Sequence, residues 1–389
     1  MNKTVIPYGR QEITQADIDA VVSVLESDFL TQGPQVPCFE QAVAEHVGAK
    51  HALAVNSATS ALHLACLALG LGTGDWLWTS PITFVASANC GLYCGAQVDF
   101  VDIDPRTYNL SPKILAEKLE KAEKEGVLPK VVIAVHLCGQ PCDMQAINAL
   151  SQRYGFHLIE DASHAIGGKY QGEFIGNCRY SDITVFSFHP VKIITTAEGG
   201  MAVTNSDELA NKMTLLRSHG ITRDSSQMTH EADGPWYYQQ IDLGFNYRMT
   251  ELQAALGLSQ IERLNQYVAC RHRLAERYDK ALADFPIVTP LQHPESYSGR
   301  HLYVIRLKLD EIDQTHLQVF ESLREQGIGV NLHYIPVHTQ PYYQKMGFEE
   351  EAFPQAMQYY REAISLPIFQ GLKNKHQDEV IRALGSILL

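Results

Sequence analysis

The sequence has no block rich in lysine or arginine, and its 31 basic residues are outnumbered by 44 acidic ones, giving a net charge of −13. This balance disfavours nucleic acid as a partner. The opening segment MNKTVIPYGRQEIT contains no apolar core of the kind that export signals require. Two long uncharged stretches, residues 51–74 and 76–98, are interrupted by Asn, Ser, Thr and Pro, which indicates buried strand-turn-helix units rather than membrane spans. We therefore expect a cytoplasmic protein without membrane contact.

Cysteine is sparse, and the eight thiols lack the dense spacing of small disulfide-linked secreted domains. Free thiols in a reducing compartment are the simplest interpretation. The pairs Cys90/Cys94 and Cys138/Cys142 share a C-x3-C spacing, but both lie in apolar helix or strand-end contexts, so we expect no metal site. No G-x-G-x-x-G motif follows the first strand, which disfavours a nicotinamide-dependent dehydrogenase.

Short apolar runs alternate with helix-period segments through the first part of the chain, which predicts an α/β fold built on a mostly parallel sheet flanked by helices. From about residue 250 a long helical stretch is followed by shorter strand and helix patterns, which indicates a smaller C-terminal α/β domain. We predict a large domain over residues 1–249 and a small one over 250–389, connected by that long helix. The predicted strands are 51–55, 76–80, 97–102, 130–136, 156–161, 183–188 and 201–205, and the clearest helices are 58–69, 112–125 and 144–154.

Polar residues follow two of these strands at positions where ligands collect in such sheets. The first group, residues 56–60, opens a helix with small hydroxyl side chains and free backbone N–H groups, which suits a phosphate, although an ordinary N-cap explains it equally well. The second is Asp161, whose carboxylate at a buried strand end needs a positive or hydrogen-bonding partner. A protonated pyridine nitrogen, a metal ion and a structural salt bridge all satisfy that need.

The segment SFHPVK leaves a buried strand, turns at Pro190 and presents Lys192. Desolvation in so apolar a turn lowers the basicity of an amine, which is what Schiff-base formation requires. A surface lysine that reaches solvent is the alternative. We favour the Schiff-base lysine because Ser187, Asp161, Phe84 and the helix start at residues 57–60 together supply what a flat phosphorylated aldehyde needs.

Three ordered motifs, EDASHAIGG (160–168), SFHPVKIITTAEGGM (187–201) and GFNYRMTELQAALGL (244–258), together resemble the DegT/StrS family of sugar-nucleotide aminotransferases. The resemblance runs from about Pro7 to the C-terminal helix. It implies the fold of fold-type I enzymes that depend on pyridoxal 5′-phosphate, with a large cofactor-binding domain and a smaller C-terminal one.

By this resemblance Lys192 would carry the cofactor as a Schiff base and Asp161 would bind its pyridine nitrogen, and these two would be the catalytic residues. His164 would lie near the hydroxyl of the ring, and Phe84 would stack on its face. Asn246 would reach the cofactor phosphate of a neighbouring subunit, which implies a homodimer with shared active sites. The cofactor phosphate within the same subunit would be held by Ala58, Thr59 and Ser187.

The substrate is the least specified part of the resemblance. Some relatives carry histidine in place of the lysine and dehydrate sugars, so Lys192 favours transamination. The segment NLHYIPVHTQPYYQ (331–344) is most similar to the subgroup of pseudaminic acid biosynthesis, which implies that L-glutamate aminates C4 of a UDP-linked 4-keto-6-deoxy sugar, although Ile193 stands where that subgroup is expected to have proline. An aminotransferase for another keto-sugar nucleotide, dTDP-linked or with the ketone at C3, and a non-catalytic cofactor-binding regulator remain alternatives. The candidates for binding the nucleotide diphosphate are Arg10, Arg217, Arg248, His333 and Tyr334.

Overall fold

The structure is a computed structural model that describes residues 5–389. Its centre is a seven-stranded sheet in which β10 runs antiparallel to both of its neighbours and the remaining pairs are parallel. The predicted mostly parallel sheet is confirmed. With elements numbered along the chain, the strand order is β2 (His51–Val55), β10 (Gly200–Thr204), β9 (Ile183–Ser187), β6 (His157–Asp161), β5 (Val131–Val135), β3 (Trp76–Thr79) and β4 (Gln97–Phe100).

Strands β5 and β9 are buried along their whole length, which explains their apolar runs VVIAV and ITVFS. Asp161 pairs in register with Val135 on one side and Val185 on the other, and Ser187 pairs with Gly200. Because β5, β6 and β9 are parallel, their carboxyl ends lie at one edge of the sheet. Residues that follow these strands are thereby brought together.

Thirteen α-helices are formed within the described residues. Two match their predicted bounds: α5 begins after a Ser111 cap and α6 after an Asp143 cap, and each ends at a glycine in the left-handed conformation. The helices are α1 (Gln15–Leu25), α2 (Gln35–Val47), α3 (Ala58–Ala68), α4 (Ala86–Tyr93), α5 (Pro112–Glu125), α6 (Met144–Tyr154), α7 (Asp207–Arg217), α8 (Glu251–Ile261), α9 (Leu264–Ala281), α10 (His316–Glu325), α11 (Pro341–Gln344), α12 (Pro354–Glu362) and α13 (Asn374–Leu388).

The single long helix predicted from residue 250 is wrong, because the structure has two helices, α8 and α9, separated at residues 262–263. The end of α8 is held against α1: Ser259 and Gln260 both donate hydrogen bonds to the buried Asp17, at 2.6 and 2.9 Å. Arg263 forms an ion pair with the same carboxylate at 2.5 Å. These contacts hold the junction of α8 and α9 against α1.

The C-terminal unit is built on a three-stranded antiparallel sheet, β13-β15-β17, whose core is shared with α9, α10 and α13. Ile6 belongs to this core because β1 pairs in parallel with β16. The boundary at 249/250 stays a prediction. In residues 5–389 no helix is both long and apolar enough to cross a membrane. The remaining strands are β1 (Ile6–Pro7), β7 (Lys169–Tyr170), β8 (Glu173–Phe174), β11 (Ile221–Thr222), β12 (Gln239–Gln240), β13 (Ile287–Val288), β14 (Ser296–Tyr297), β15 (Tyr303–Leu307), β16 (Ile328–Gly329) and β17 (Ala363–Leu366).

Candidate active site

The carboxyl ends of β5, β6 and β9 open onto a cavity of about 600 Å³. One wall comes from the strand ends and the first turn of α3, and the opposite wall comes from residues 301 and 331–334 of the C-terminal unit together with Tyr8. The structure brings most of the predicted site residues together here. Those lining the cavity are Ala58, Thr59, Phe84, Asp161, His164, Ser187, Lys192, His333 and Tyr334.

Lys192 lies on a turn that is held by its own backbone. The carbonyl of Phe188 accepts hydrogen bonds from the Thr196 N–H at 3.0 Å and the Thr195 hydroxyl at 2.9 Å, and the Lys192 N–H donates to the His189 carbonyl at 2.9 Å. The lysine side chain is partly buried. Burial lowers its pKa to about 8, while the nearby carboxylate of Asp161 acts in the opposite direction. Roughly a tenth of this amine is therefore uncharged at pH 7, and about half at pH 8.

Asp161 is 6 % exposed, and both of its carboxylate oxygens have donors. The Ser87 hydroxyl donates to Oδ2 at 2.6 Å, and the Ser163 N–H donates to Oδ1 at 3.1 Å. Ser87 was not predicted as a site residue, although its position three residues after Phe84 was a usable signal. Among residues 5–389, no three or more His, Cys, Asp and Glu side chains are grouped so that they could hold a metal ion.

The first turn of α3 lines one end of the cavity. Ser57 caps the helix by accepting a hydrogen bond from the Ser60 N–H at 3.1 Å, while Ala58 and Thr59 face the cavity. The first N–H groups of a helix have no partner within it and lie at the positive end of its dipole. A Cβ on Gly200 would lie 2.5 Å from the Ala58 nitrogen, so only glycine lets β10 approach this turn so closely.

A network of neutral imidazoles forms the opposite wall. The Cys138 N–H donates to His164 Nδ1 at 3.2 Å, so the other ring nitrogen carries the proton and donates to the Tyr334 hydroxyl at 3.1 Å. The ring of His301 is tilted by 48° against that of His164, with 4.4 Å between the ring centroids. Burial, reinforced by the charge of Lys192, lowers the pKa of His164 and His301 well below the usual range and that of His333 to about 4. This wall therefore offers uncharged donors and acceptors.

Three arginines predicted to bind a diphosphate do not line the cavity. Arg217 requires a correction: its guanidinium forms an ion pair with Glu40 at 2.5 Å and donates to the Ala54 carbonyl at 2.8 Å, which connects α7 to α2 and β2. Arg248 forms a backbone bridge with Val55, and Arg10 is exposed away from the cavity lining.

Asn246 also lies outside the cavity. It is exposed and pairs through its backbone with Ser218. Its predicted role concerns a neighbouring subunit, so this position does not conflict with that prediction.

Sequence reasoning missed three residues of the C-terminal wall: Tyr8, His301 and Asn331. Tyr8 hydrogen-bonds to Asn331, and its ring lies 5.1 Å from that of His333. No local pattern marks these residues. The pairing of β1 with β16 brings Tyr8 and Asn331 to the cavity, and a pairing between strands so far apart in the chain cannot be read from either segment alone.

Comparisons with known proteins agree with this architecture. The model of the DegT/DnrJ/EryC1/StrS aminotransferase family matches residues 11–385. The spore coat polysaccharide biosynthesis protein SpsC of Bacillus subtilis is 40% identical over 388 residues, covering 98% of this chain and 97% of that protein. The UDP-4-amino-4,6-dideoxy-N-acetyl-beta-L-altrosamine transaminase of Campylobacter jejuni is 38% identical over 384 residues, covering 98% and 97%. The solved structure of Helicobacter pylori PseC, an aminotransferase involved in the biosynthesis of pseudoaminic acid, superposes with a TM-score of 0.89 at 31% identity and covers 99% of both chains.

Proposed function

Because the chain belongs to the DegT/DnrJ/EryC1/StrS aminotransferase family, we propose that it transfers the amino group of L-glutamate to C4 of a UDP-linked 4-keto-6-deoxy sugar in pseudaminic acid biosynthesis. Enzymes of this family are sugar aminotransferases that depend on pyridoxal 5′-phosphate. The C. jejuni relative is a transaminase named for a UDP-linked 4-amino-4,6-dideoxy sugar, which supports this sugar, and the H. pylori relative is involved in the biosynthesis of pseudoaminic acid, which supports this pathway. The B. subtilis relative, from spore coat polysaccharide synthesis, does not specify either.

The observation that carries the proposal is that Lys192 and Asp161 face one cavity and interact electrostatically. Lys192 is an amine of lowered basicity, and Asp161 is a carboxylate held by two donors at the end of a central strand. An aminotransferase needs such a pair on opposite sides of one ring: an amine to exchange protons and an acid to keep the ring nitrogen protonated.

The residues of the cavity fit pyridoxal phosphate. The N–H groups of Ala58 and Thr59, against which Gly200 packs without a side chain, would hold the phosphate together with the hydroxyl of Ser187. Asp161 would pair with the pyridine nitrogen, and Phe84 would cover one face of the ring. When bound, this group acts as an electron sink for the negative charge that develops at the carbon losing its proton.

The proposed work of the protein's own side chains is the movement and placement of protons. Lys192 Nζ, with a pKa of about 8, would take a proton from the donor carbon and return one to the sugar carbon. Burial raises the pKa of Tyr334, so its hydroxyl stays protonated. Because it already accepts from His164, its own hydrogen is available to a ligand oxygen. We assign Tyr334 and His333 to orienting the sugar rather than to holding the diphosphate.

Within the described chain, the cavity lining contains no arginine and Lys192 is its one lysine. The carboxylates of glutamate and a nucleotide diphosphate require more positive charge than this lining supplies. We therefore propose a homodimer in which a neighbouring subunit completes each site, with the exposed Asn246 reaching the partner's cofactor phosphate. Arg248 and Arg10 remain candidates for the diphosphate.

A coupled assay tests the substrate. The purified enzyme is loaded with pyridoxal phosphate and offered glutamate with UDP- and dTDP-linked 4-keto and 3-keto sugars, and formation of 2-oxoglutarate is followed. We expect turnover with the UDP-linked 4-keto-6-deoxy sugar to exceed that with the others. A preference for a dTDP-linked or 3-keto sugar would replace the proposed substrate. If the protein binds the cofactor but forms no 2-oxoglutarate from glutamate with any of these sugars, it would be a non-catalytic binder.

A matched pair of variants tests the amine. Lys192→Ala should lower turnover by about a thousandfold or more while the protein still binds the cofactor non-covalently. Lys345→Ala, which removes an exposed lysine outside the cavity, should leave turnover unchanged. Wild-type turnover in Lys192→Ala would end the proposal.

A further inference from the structure

Residues 298–302 of the C-terminal unit pack against the loops that follow β5 and β6. The Gly299 N–H donates to the Gly139 carbonyl at 2.9 Å. A Cβ on Gly139 would lie 2.7 Å from the His164 carbonyl oxygen, and a Cβ on Gly299 would lie 2.9 Å from the same atom and 3.1 Å from the Ile193 side chain. The two glycines therefore let this segment lie directly against the loop that carries His164.

A buried arginine holds the same segment. Arg271 of α9 is 0% exposed, and its guanidinium donates to the backbone carbonyls of Arg300, His301 and Ile368 at 3.3, 3.1 and 2.9 Å. It also donates to the side-chain oxygen of Gln370 at 3.1 Å. All four acceptors are uncharged oxygens, so these bonds fix the backbone on both sides of the His301 Cα instead of forming an ion pair.

The side chain that this segment brings to the cavity is the imidazole of His301. His301 is 4% exposed, its Nδ1 atom is buried without a hydrogen-bond partner, and no group of residues 5–389 hydrogen-bonds to its Nε2 atom. The neighbouring His164, by contrast, uses both ring nitrogens, with the Cys138 N–H and the Tyr334 hydroxyl. The large majority of buried side-chain polar atoms in proteins have a partner, so we expect a ligand in the cavity to supply one.

The surrounding wall indicates an uncharged partner. Burial lowers the pKa of His164 and His301 well below the usual range and that of His333 to about 4, so all three imidazoles are neutral. Tyr8 and Asn331 complete this wall, to which no lysine or arginine of the described chain belongs. A neutral imidazole has one donor and one acceptor, as a hydroxyl group does. A carboxylate placed against this wall would be desolvated without a cation from it.

We propose that His301 binds a hydroxyl group on the sugar ring of the acceptor substrate, and that Arg271 is the positioning residue that holds His301 in the cavity wall. The assignment rests on the proposed function, because it takes a nucleotide sugar as the substrate. It also separates the two substrates: glutamate, whose polar groups other than its amine are carboxylates, does not use this imidazole. Loss of His301 should therefore slow the sugar half of the reaction and leave the glutamate half unchanged.

Single-turnover measurements of the two half-reactions test the role of His301. Enzyme loaded with pyridoxal phosphate is mixed with glutamate, and enzyme loaded with pyridoxamine phosphate is mixed with the UDP-linked keto sugar, while cofactor absorbance is followed. In His301→Phe we expect kcat/KM for the sugar to fall about tenfold or more and that for glutamate to stay within about twofold. His301→Gln, which keeps a donor and an acceptor, should recover part of the loss. A selective loss in the glutamate half, or an equal loss in both, would overturn the assignment.

Two further variants separate this role from a structural one. His338 is also buried with an unpartnered Nδ1 atom but lies outside the cavity lining, so His338→Phe should leave both half-reactions unchanged. Arg271→Lys keeps the charge and loses the forked donors, and it should reproduce the selective loss in the sugar half. Wild-type kcat/KM for the sugar in Arg271→Lys would refute the positioning role of Arg271.

A binding measurement distinguishes failure of this assignment from failure of the proposed function. Calorimetry compares the Kd of UDP-N-acetylglucosamine, a stable UDP-linked sugar with free ring hydroxyls, with the Kd of UDP in the wild type and in His301→Phe. We expect the variant to bind the UDP-linked sugar about tenfold more weakly and UDP equally well. Equal Kd values of wild type and variant for the UDP-linked sugar would refute the role of His301. Selective weakening in a protein that does not react with glutamate would support that role and refute the proposed amination alone.

Discussion

The Ser87 hydroxyl donates a 2.6 Å hydrogen bond to the Oδ2 atom of Asp161. Ser87 lies in the first turn of α4, directly after the loop that carries Phe84, and Asp161 is the last residue of β6. The bond therefore connects the start of α4, next to the loop that carries Phe84, to the end of β6, which carries Asp161. It also orients the carboxylate that would pair with a protonated pyridine.

Ser87→Ala should weaken cofactor binding because Asp161 loses a charge-assisted donor. A hydrogen bond to a charged group contributes about 1.5–3 kcal/mol, so we expect the Kd for pyridoxal phosphate to rise about tenfold or more. Absorbance titration of the cofactor-free protein measures it. Thr79→Val is the matched control: it removes a buried hydroxyl that donates to the Ile133 carbonyl outside the cavity, and it should lower stability without changing the Kd. Equal Kd values for wild type and Ser87→Ala would contradict this role.

Gly200→Ala tests the close contact between β10 and α3. The added Cβ would lie 2.5 Å from both the Ala58 nitrogen and the Ser57 carbonyl carbon, so the strand or the helix start must move. We expect a loss of about 1–3 kcal/mol in the free energy of unfolding, together with weaker binding of pyridoxal phosphate.

Gly72→Ala provides the comparison, because a Cβ there meets no atom within 4 Å and the backbone is not left-handed. Denaturant unfolding and cofactor titration on both variants separate the two effects. If Gly200→Ala had wild-type stability and wild-type affinity for pyridoxal phosphate, the close contact between α3 and β10 would not be needed for either property.

The central sheet could be predicted because its information is local. Uninterrupted apolar runs marked the buried strands, and the capping residues around α5 and α6 marked helix ends. The principal pair of the site followed from the same information: Asp161 ends one strand and Lys192 follows another, and the carboxyl ends of parallel strands share one edge. Their entry into one cavity was thus foreseeable from strand order alone.

The C-terminal wall could not be foreseen in the same way. His301 and Asn331 lie in short irregular segments, and they reach the cavity only because the C-terminal unit packs over the sheet edge. The positions of the arginines did not predict the ligands of the diphosphate either, because the sequence does not reveal whether a guanidinium faces a cavity or a carboxylate. Arg217 carries the guanidinium group expected of a phosphate ligand. In the structure this group pairs instead with Glu40, which is distant in sequence.

Arg217→Ala should therefore affect stability and not substrate binding. The ion pair with Glu40 is mostly buried, and removing one partner leaves a carboxylate without compensation, which costs about 3 kcal/mol or more. We expect a lower free energy of unfolding with an unchanged KM for the sugar nucleotide. Adding Glu40→Gln should recover part of the stability, because no uncompensated charge remains. A large rise in KM at wild-type stability would restore Arg217 as a substrate ligand.

The lowered pKa of Lys192 predicts a specific pH dependence in the cofactor-free protein. With a pKa of about 8 instead of the usual 10.5, the amine is half neutral near pH 8, where an ordinary lysine is neutral to about 0.3%. Competitive acetylation with trace acetic anhydride should give a rate for Lys192 that rises with pH and levels off above about pH 9. The exposed Lys345 provides the reference rate in the same sample.

The same shift affects stability, with a defined sign. Between about pH 8 and 10.5 the unfolded chain binds more protons at Lys192 than the folded one, so this group makes the free energy of unfolding rise with pH across that window. Lys192→Met should lack that contribution. Asp161→Asn should move the acetylation midpoint of Lys192 below about 8, because the Asp161 carboxylate acts to raise the pKa of this amine. A midpoint near 10.5 in the wild type, or an upward shift in Asp161→Asn, would show that the two groups do not share a desolvated cavity.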